Sequence, residues 1–436
     1  MERCFMSTKT EKITSSDTQF ALSHMRPAGC DALVLDGRLR QSVVTVRSLG
    51  SRGLRVAALE TTEGLPAPAF SSRWCQEKLV CPAIEGSQAY LDYLETAIDF
   101  TGARVLITSS DGTIALIRQH REQLEQRVNI ALAKESALSI AINKEQTLEI
   151  ASQLGLGVPR AVTIRSVNEV AAALHEIGLP AVVKPVESWL PGSQRGVRVI
   201  SQLVTTPDEA RRAVEKLTCS GGMVLFQQFL SGRRESLSFF YASGEMYARF
   251  AFLGKRTNPP LGGVYVLRQA ITLPEDIGEQ AERLVREIDL EGYSQVEFRR
   301  DSAGNPYLME INSRLNLGIE IAVRAGVDFP YLLYQWANGD AIRPVKSYPI
   351  GGQMRYLAGD LMTTLASVRQ RGRPGVTPPL RAFLDFFLTF FIPMGYDYFN
   401  WRDPLPVWPA TRGFARYSLQ LIAKSIARRF SRKKLQ

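Results

Sequence analysis

The chain has 436 residues, 45% of them hydrophobic and 22% charged, the balance of a soluble globular protein long enough for two or three domains. Five cysteines (Cys4, Cys30, Cys75, Cys81, Cys219) form no C-x-x-C pair and three histidines are scattered, which argues against a disulfide framework, a zinc site and His-based triads. Much of the net charge of +10 sits at the extreme C-terminus, without aromatics interleaved on a sheet, so nucleic acid is not the expected partner.

Residues 1–30 are polar, Ser/Thr-rich and aperiodic, and lack the apolar stretch of a secretory signal; they read as a mobile leader outside the fold. From Asp31 strands and helices alternate. Strand-like runs at Ala32–Leu35, Arg55–Leu59, Lys78–Cys81 and Val105–Thr108 are interleaved with helical patterns at Gln41–Leu49, Ser87–Phe100 and Thr113–Leu124, which predicts a parallel sheet. The turn Ser109-Ser110-Asp111-Gly112 follows the last of these strands, where open α/β sheets gather ligands. Asp111 is thus a candidate substrate contact, with a plain helix N-cap as the competing reading. No G-x-G-x-x-G follows the first strand, so a nicotinamide site is weakly supported.

Asn143-Lys144 opens a helix over Glu145–Leu154, and the apolar strand Val182–Pro185 carries Lys184. Pro191, Gly192, Ser193 and Gly196 follow in a loop. A lysine beside a Gly/Ser loop is a workable phosphate clamp: backbone N–H groups turn toward the phosphates and the ammonium supplies a point charge. It is not a P-loop, because G-x-x-x-x-G-K-[ST] is missing from the chain. After a helix at Pro207–Leu217, the strand Met223–Phe226 runs into Gln227-Gln228-Phe229-Leu230-Ser231-Gly232. A hairpin of Ser236–Tyr241 and Met246–Leu253 leads to Lys255 and Arg256 beside Gly262-Gly263, which suits an anionic ligand. Arg268 is a similar candidate. A solvated basic loop is the competing reading.

Gln295–Arg299 and Tyr307–Asn312 flank the turn-forming Asp301, Gly304 and Asn305, a hairpin with a longish loop. Alternation sets Gln295, Glu297 and Arg299 apart from Val296 and Phe298, and puts Glu310 and Asn312 on one face. Paired strands would bring Glu297 near Glu310 and Asn312, an oxygen cluster of the kind Mg²⁺ takes when it also keeps phosphate oxygens and waters. The competing reading is an amphipathic hairpin with a solvated acidic face.

Glu297-Phe298 followed by Glu310-Ile311-Asn312-Ser313-Arg314 resembles the metal-binding signature of the ATP-grasp superfamily, E-[IVM]-N-x-R, with Ser313 where proline is common. Taken with Lys184-Pro185 and the closing order of motifs, the resemblance covers roughly Asp31 to Asp340. It implies Mg²⁺ or Mn²⁺ on Glu297, Glu310 and Asn312, with Arg314 stabilising phosphoryl or acyl-phosphate charge. Lys144 and Lys184 then position the triphosphate of ATP, and the loop of Gly192, Ser193 and Gly196 closes over it. Gln227, Gln228, Phe229 and Leu230 correspond to the adenine-binding linker, and Glu235 to a ribose ligand.

The implied architecture is α/β: a parallel-sheet pre-ATP-grasp domain (31–141), a two-lobed α+β ATP-grasp domain (142–340, with a small lid lobe at about 160–230), and a mostly helical C-terminal extension (341–436). The implied activity is a carboxylate–amine ligase acting on small-molecule acid and amine substrates through an acyl phosphate. An ATP-dependent carboxylase and a non-catalytic nucleotide-binding protein are the rivals. In the extension, the aromatic run Phe383–Ile392 is too short to span a bilayer and reads as a buried helix. Over Arg412–Gln436, an apolar stripe (Leu419, Ile422, Ala423, Ile426, Phe430) among unopposed Lys and Arg makes contact with an anionic membrane a candidate role, against a helix docked on the protein. The expected setting is cytoplasmic or the inner membrane face, and a homodimer is a candidate assembly.

Overall fold

The computed structural model describes residues 28–187, 189–190, 197–198, 201–219, 222–260 and 262–416. Nearly all of the expected leader, and the loop holding Gly192, Ser193 and Gly196, lie outside the described residues. The first sheet is parallel, in the order β3-β2-β1-β4-β5, from β1 (Ala32–Val34), β2 (Val56–Thr61), β3 (Cys75–Cys81), β4 (Val105–Ile107) and β5 (Asn129–Ile130). Its strands are short and mostly buried, as expected where helices cover both faces. The helix expected at Thr113–Leu124 is broken at His120 into Asp111–Gln119 and Arg121–Glu125. Ser110, not Asp111, is its N-cap: the Ser110 hydroxyl accepts the Thr113 N–H at 3.1 Å, which leaves the Asp111 carboxylate available to a partner.

A small antiparallel sheet has the order β10-β7-β11-β6, from β6 (Ala161–Ile164), β7 (Ala181–Pro185), β10 (Gln202–Val204) and β11 (Val224–Gln228). Val183, Val224 and Phe226 of one face pack under the helices Val170–Ile177 and Pro207–Thr218. Lys184, Leu225 and Gln227 take the other face by alternation. A two-stranded ladder of β8 (Trp189–Leu190) and β9 (Val197–Arg198) lies beside it in the chain.

The third sheet has seven strands in the order β16-β15-β12-β13-β14-β17-β18. They are β12 (Arg234–Ala242), β13 (Glu245–Asn258), β14 (Val264–Ile271), β15 (Gly292–Arg300), β16 (Pro306–Asn312), β17 (Gln353–Arg355) and β18 (Gly395–Tyr396). One face (Leu237, Phe239, Val296, Phe298) is buried with the helix Gly278–Glu287. The other changes character along the strands. Phe240 and Tyr293 pair at one end, in the core shared with the helix Phe329–Asn338. One, two and three steps along the same face, the pairs become Ser238 with Gln295, Ser236 with Glu297, and Arg234 with Arg299. The apolar end holds the sheet in place, and the polar end is where chemistry can be done.

The last two strands come from the extension, which the sequence reading made mostly helical. Its carboxylates tie the parallel sheet to the large one. Asp397 meets both Arg268 and Arg40, and Asp403 accepts Arg47 Nε at 2.9 Å and Ser72 Oγ at 2.8 Å. This explains how the helix Arg40–Gly50 is buried all round despite carrying two arginines. The run Phe383–Ile392 is not a buried helix: only Phe386 and Thr389 of it are buried, and Phe391 is 85% exposed.

Candidate active site

The hairpin of β15 and β16 pairs as alternation predicts, with Glu297 opposite Glu310 and Gln295 opposite Asn312. A bulge between Glu297 and Phe298 sets the geometry beyond them. Unbroken alternation would put Leu308 on the Glu310 face; the extra residue, Met309, moves Leu308 opposite Phe298 and into the core. Two carboxylates therefore face each other at the polar end of the sheet, with the Asn312 amide donating to Gln295 Oε1 at 3.3 Å.

Cations surround them. Arg234 Nη2 donates to Glu297 Oε2 at 2.7 Å, the Tyr265 hydroxyl donates to the same oxygen at 3.0 Å, and the guanidinium lies 4.5 Å from the Tyr265 ring centroid. Lys144 Nζ, at the start of the helix Lys144–Gln153, is 3.9 Å from Glu310 Oε2. Burial pushes the Lys184 ammonium down to about 8, against the pull of Glu310 and Glu297 and with the repulsion of Lys144 and Arg234. Burial raises the Glu297 carboxyl above its ordinary range; Glu310 adds to this and Arg234 opposes it. These carboxyl oxygens and the Asn312 amide oxygen form a hard donor set, and a divalent cation would relieve the repulsion between the two glutamates, so the residues fit Mg²⁺.

Across the cleft, Gln227 is fully buried and neither end of its amide meets a hydrogen-bond partner, a costly arrangement unless a ligand supplies one. It shares a face with Lys184, because it pairs with Val182 while Lys184 pairs with Leu225. Phe229 follows, 5.4 Å below the Arg299 guanidinium, and Leu230 is buried. Gly232 has no alternative: a Cβ there would sit 2.5 Å from the Arg300 carbonyl oxygen. An unmatched amide and a lysine on one face suit a base and a phosphate chain.

Arg314, two residues past β16, and Asp111, the first residue of the helix Asp111–Gln119, come together, Nε to Oδ1 at 2.5 Å and Nη2 to Oδ2 at 3.2 Å. Four other candidates are placed elsewhere. Glu235 lies on the opposite face from Glu297, paired with Phe298 and held by Arg300 Nε at 2.8 Å and Arg233 Nε at 2.9 Å, so it does not join the cleft as a ribose ligand. Arg268 is fully buried on Asp397. Arg256 Nη2 donates to Asp360 at 2.7 Å and to Thr389 at 3.1 Å, and Lys255 reaches Gln353 at 3.2 Å. The extension was the partner the sequence could not supply for these basic residues. Arg234 and Tyr265 were missed. Arg234 shares parity with Ser236, but its place beside Glu297 follows only from the β12–β15 register.

Three sheets in this order, with the acidic hairpin facing a lysine-bearing lobe, define an ATP-grasp fold. Residues 228–357 match a family described as ATP-grasp in the biosynthetic pathway with Ter operon. A D-alanine–D-alanine ligase of Trichlorobacter lovleyi is 24% identical over 220 residues, spanning 48% of this chain and 68% of that ligase. The biotin carboxylase domain dimer of Hydrogenobacter thermophilus 2-oxoglutarate carboxylase, solved with MgADP, ADP and bicarbonate, superposes with a TM-score of 0.60 at 16% identity, over 74% of this chain and 73% of that one. An L-amino acid ligase from Bacillus licheniformis superposes at 0.54 with 20% identity, over 72% and 78%.

Proposed function

We propose that the chain is an ATP-dependent carboxylate–amine ligase that forms an amide through an acyl phosphate, in the metabolism of a cell-surface polysaccharide or peptidoglycan precursor. The Glu297–Glu310 pair beneath Lys184 and Lys144 carries this reading. The ligases among its relatives support the class of reaction. A carboxylate oxygen attacks the γ-phosphorus and ADP leaves; the amine nitrogen then attacks the acyl carbon, phosphate leaves and the amine gives up a proton. Lys144 and Lys184 hold the phosphate chain, and Gln227 with the linker through Leu230 receives the base. Glu297, Glu310 and Asn312 would hold Mg²⁺ or Mn²⁺, which supplies charge neutralisation at the phosphates. Arg314, oriented by Asp111, faces the charge that develops on the acyl oxygen. No protein nucleophile is needed.

The test is release of ADP and inorganic phosphate during a screen of acid and amine pairs. Glu310→Gln, which removes one of the two opposed carboxylates, is expected to lower turnover on the order of 10²-fold or more while the fold melts as before. Pyrophosphate appearing in step with turnover, or a Glu310→Gln enzyme as fast as the parent, would overturn the proposal.

A further inference from the structure

The extension contains a helix with its polarity reversed. Leu357–Arg369 turns Gly359, Asp360, Thr364 and Ser367 inward. Most of those polar groups find partners there: Asp360 Oδ2 takes Arg355 and Arg256, each at 2.7 Å, and the Thr364 and Ser367 hydroxyls donate to carbonyls one turn back. Its outward side is Leu357, Leu361, Leu365 and Val368, spaced four, four and three residues apart and all exposed. A helix on a globular protein normally does the opposite. The helix Pro379–Leu388 packs against it and also turns apolar side chains outward. The Arg355 guanidinium holds Phe386 inward, 4.4 Å from its ring centroid, while Leu380, Leu384, Phe387 and Leu388 face out. Phe391, Trp401 and Trp408 are exposed as well. Singly exposed leucines need no explanation, but two adjacent stripes mark an interaction surface.

We infer that this face docks on an anionic lipid bilayer. Charge selects the occupant. Arg369, Arg371, Arg381, Arg402, Arg412 and Arg416 are exposed on the same segment. Its other carboxylates (Asp360, Asp397, Asp403) are buried, which leaves Asp385 as the one accessible acid between residues 357 and 416. A second copy of the chain would set this basic surface against its like, whereas anionic headgroups complement it. Residues 417–436 of the candidate tail lie outside the described residues. Among the described residues no helix is long and apolar enough to cross a membrane, so the contact is interfacial. Exposed tryptophans suit the headgroup boundary. The inference is independent of the ligase reading.

The test is co-sedimentation of the full chain with vesicles of phosphatidylcholine alone or of equal parts phosphatidylcholine and phosphatidylglycerol. Binding is expected to the anionic vesicles and to weaken with salt. The variant Leu365→Glu/Leu384→Glu/Phe391→Glu alters only exposed positions, and an unchanged melting temperature confirms its fold. It is expected to lose about tenfold or more in vesicle affinity. The inference is overturned if the parent stays in the supernatant with anionic vesicles, if the triple variant binds as the parent does, or if the parent is a dimer that these substitutions dissolve.

Discussion

Two regions of this molecule concentrate charge below the surface, and they handle it differently. At the seam with the C-terminal extension, each arginine ends on a carboxylate: Arg40 and Arg268 on Asp397, Arg47 on Asp403, Arg256 and Arg355 on Asp360. In the cleft between the small and large sheets compensation is incomplete. Lys184 holds its proton poorly and the Glu297 carboxyl is pushed up. Unmatched hydrogen-bonding atoms occur in both regions, on Gln227 in the cleft and on Arg47, Arg256, Arg268, Arg355 and Asp360 at the seam, so charge is what separates them. Buried charge alone therefore does not mark a site. The uncompensated remainder does, because a ligand can supply what the protein leaves out.

The largest effect should come from breaking the seam. Asp397→Ala strands two buried arginines and is expected to cost roughly 3–5 kcal/mol in urea unfolding. A loss below about 1 kcal/mol would mean the seam is not what holds the halves together.

The cleft should respond in the opposite direction. Lys184 titrates near 8 in the folded chain, below its ordinary value of 10.5, so the unfolded chain binds more protons between these values. Stability should accordingly rise as pH increases from about 8 to 10.5, as the cost of burying the ammonium is relieved. Lys184→Met should remove that slope and be more stable at pH 7 by on the order of 3 kcal/mol, while losing nucleotide affinity. A parent whose stability is flat over this range would contradict the assignment.

Gln227→Leu should gain roughly 1–2 kcal/mol by deleting an unmatched buried amide, and should weaken nucleotide binding measured by calorimetry. A destabilised variant would show that the amide is already satisfied. The smallest effect belongs to the exposed pair of Arg381 and Asp385, 3.9 Å apart; Asp385→Ala should change stability by less than about 0.5 kcal/mol.

What could be read in the sequence was what local pattern controls. The Glu297/Glu310 pairing follows from alternation within one hairpin, and the parallel sheet from alternating elements and turn residues. What could not be read depended on register or on distant partners. Arg234 enters the cleft, and Glu235 leaves it, because β12 aligns Ser236 with Glu297. Arg256 and Arg268 looked like anion-binding residues because Asp360 and Asp397 lie 104 and 129 positions away. The outward-facing apolar stripes had no precedent in a periodicity argument, since a stripe of leucines gives the same signal whether it faces in or out.

The bond between Arg40 and Asp397 spans 357 positions. During synthesis the helix Arg40–Gly50 emerges early, while the carboxylates that neutralise its arginines arrive only with residues 397 and 403. At ribosomal rates of 5–20 residues per second that interval is roughly 20–70 s. Over that time the first sheet has its strands but lacks the counter-charges that let this helix seat against it. The N-terminal unit is thus completed only once residues 397 and 403 have been made.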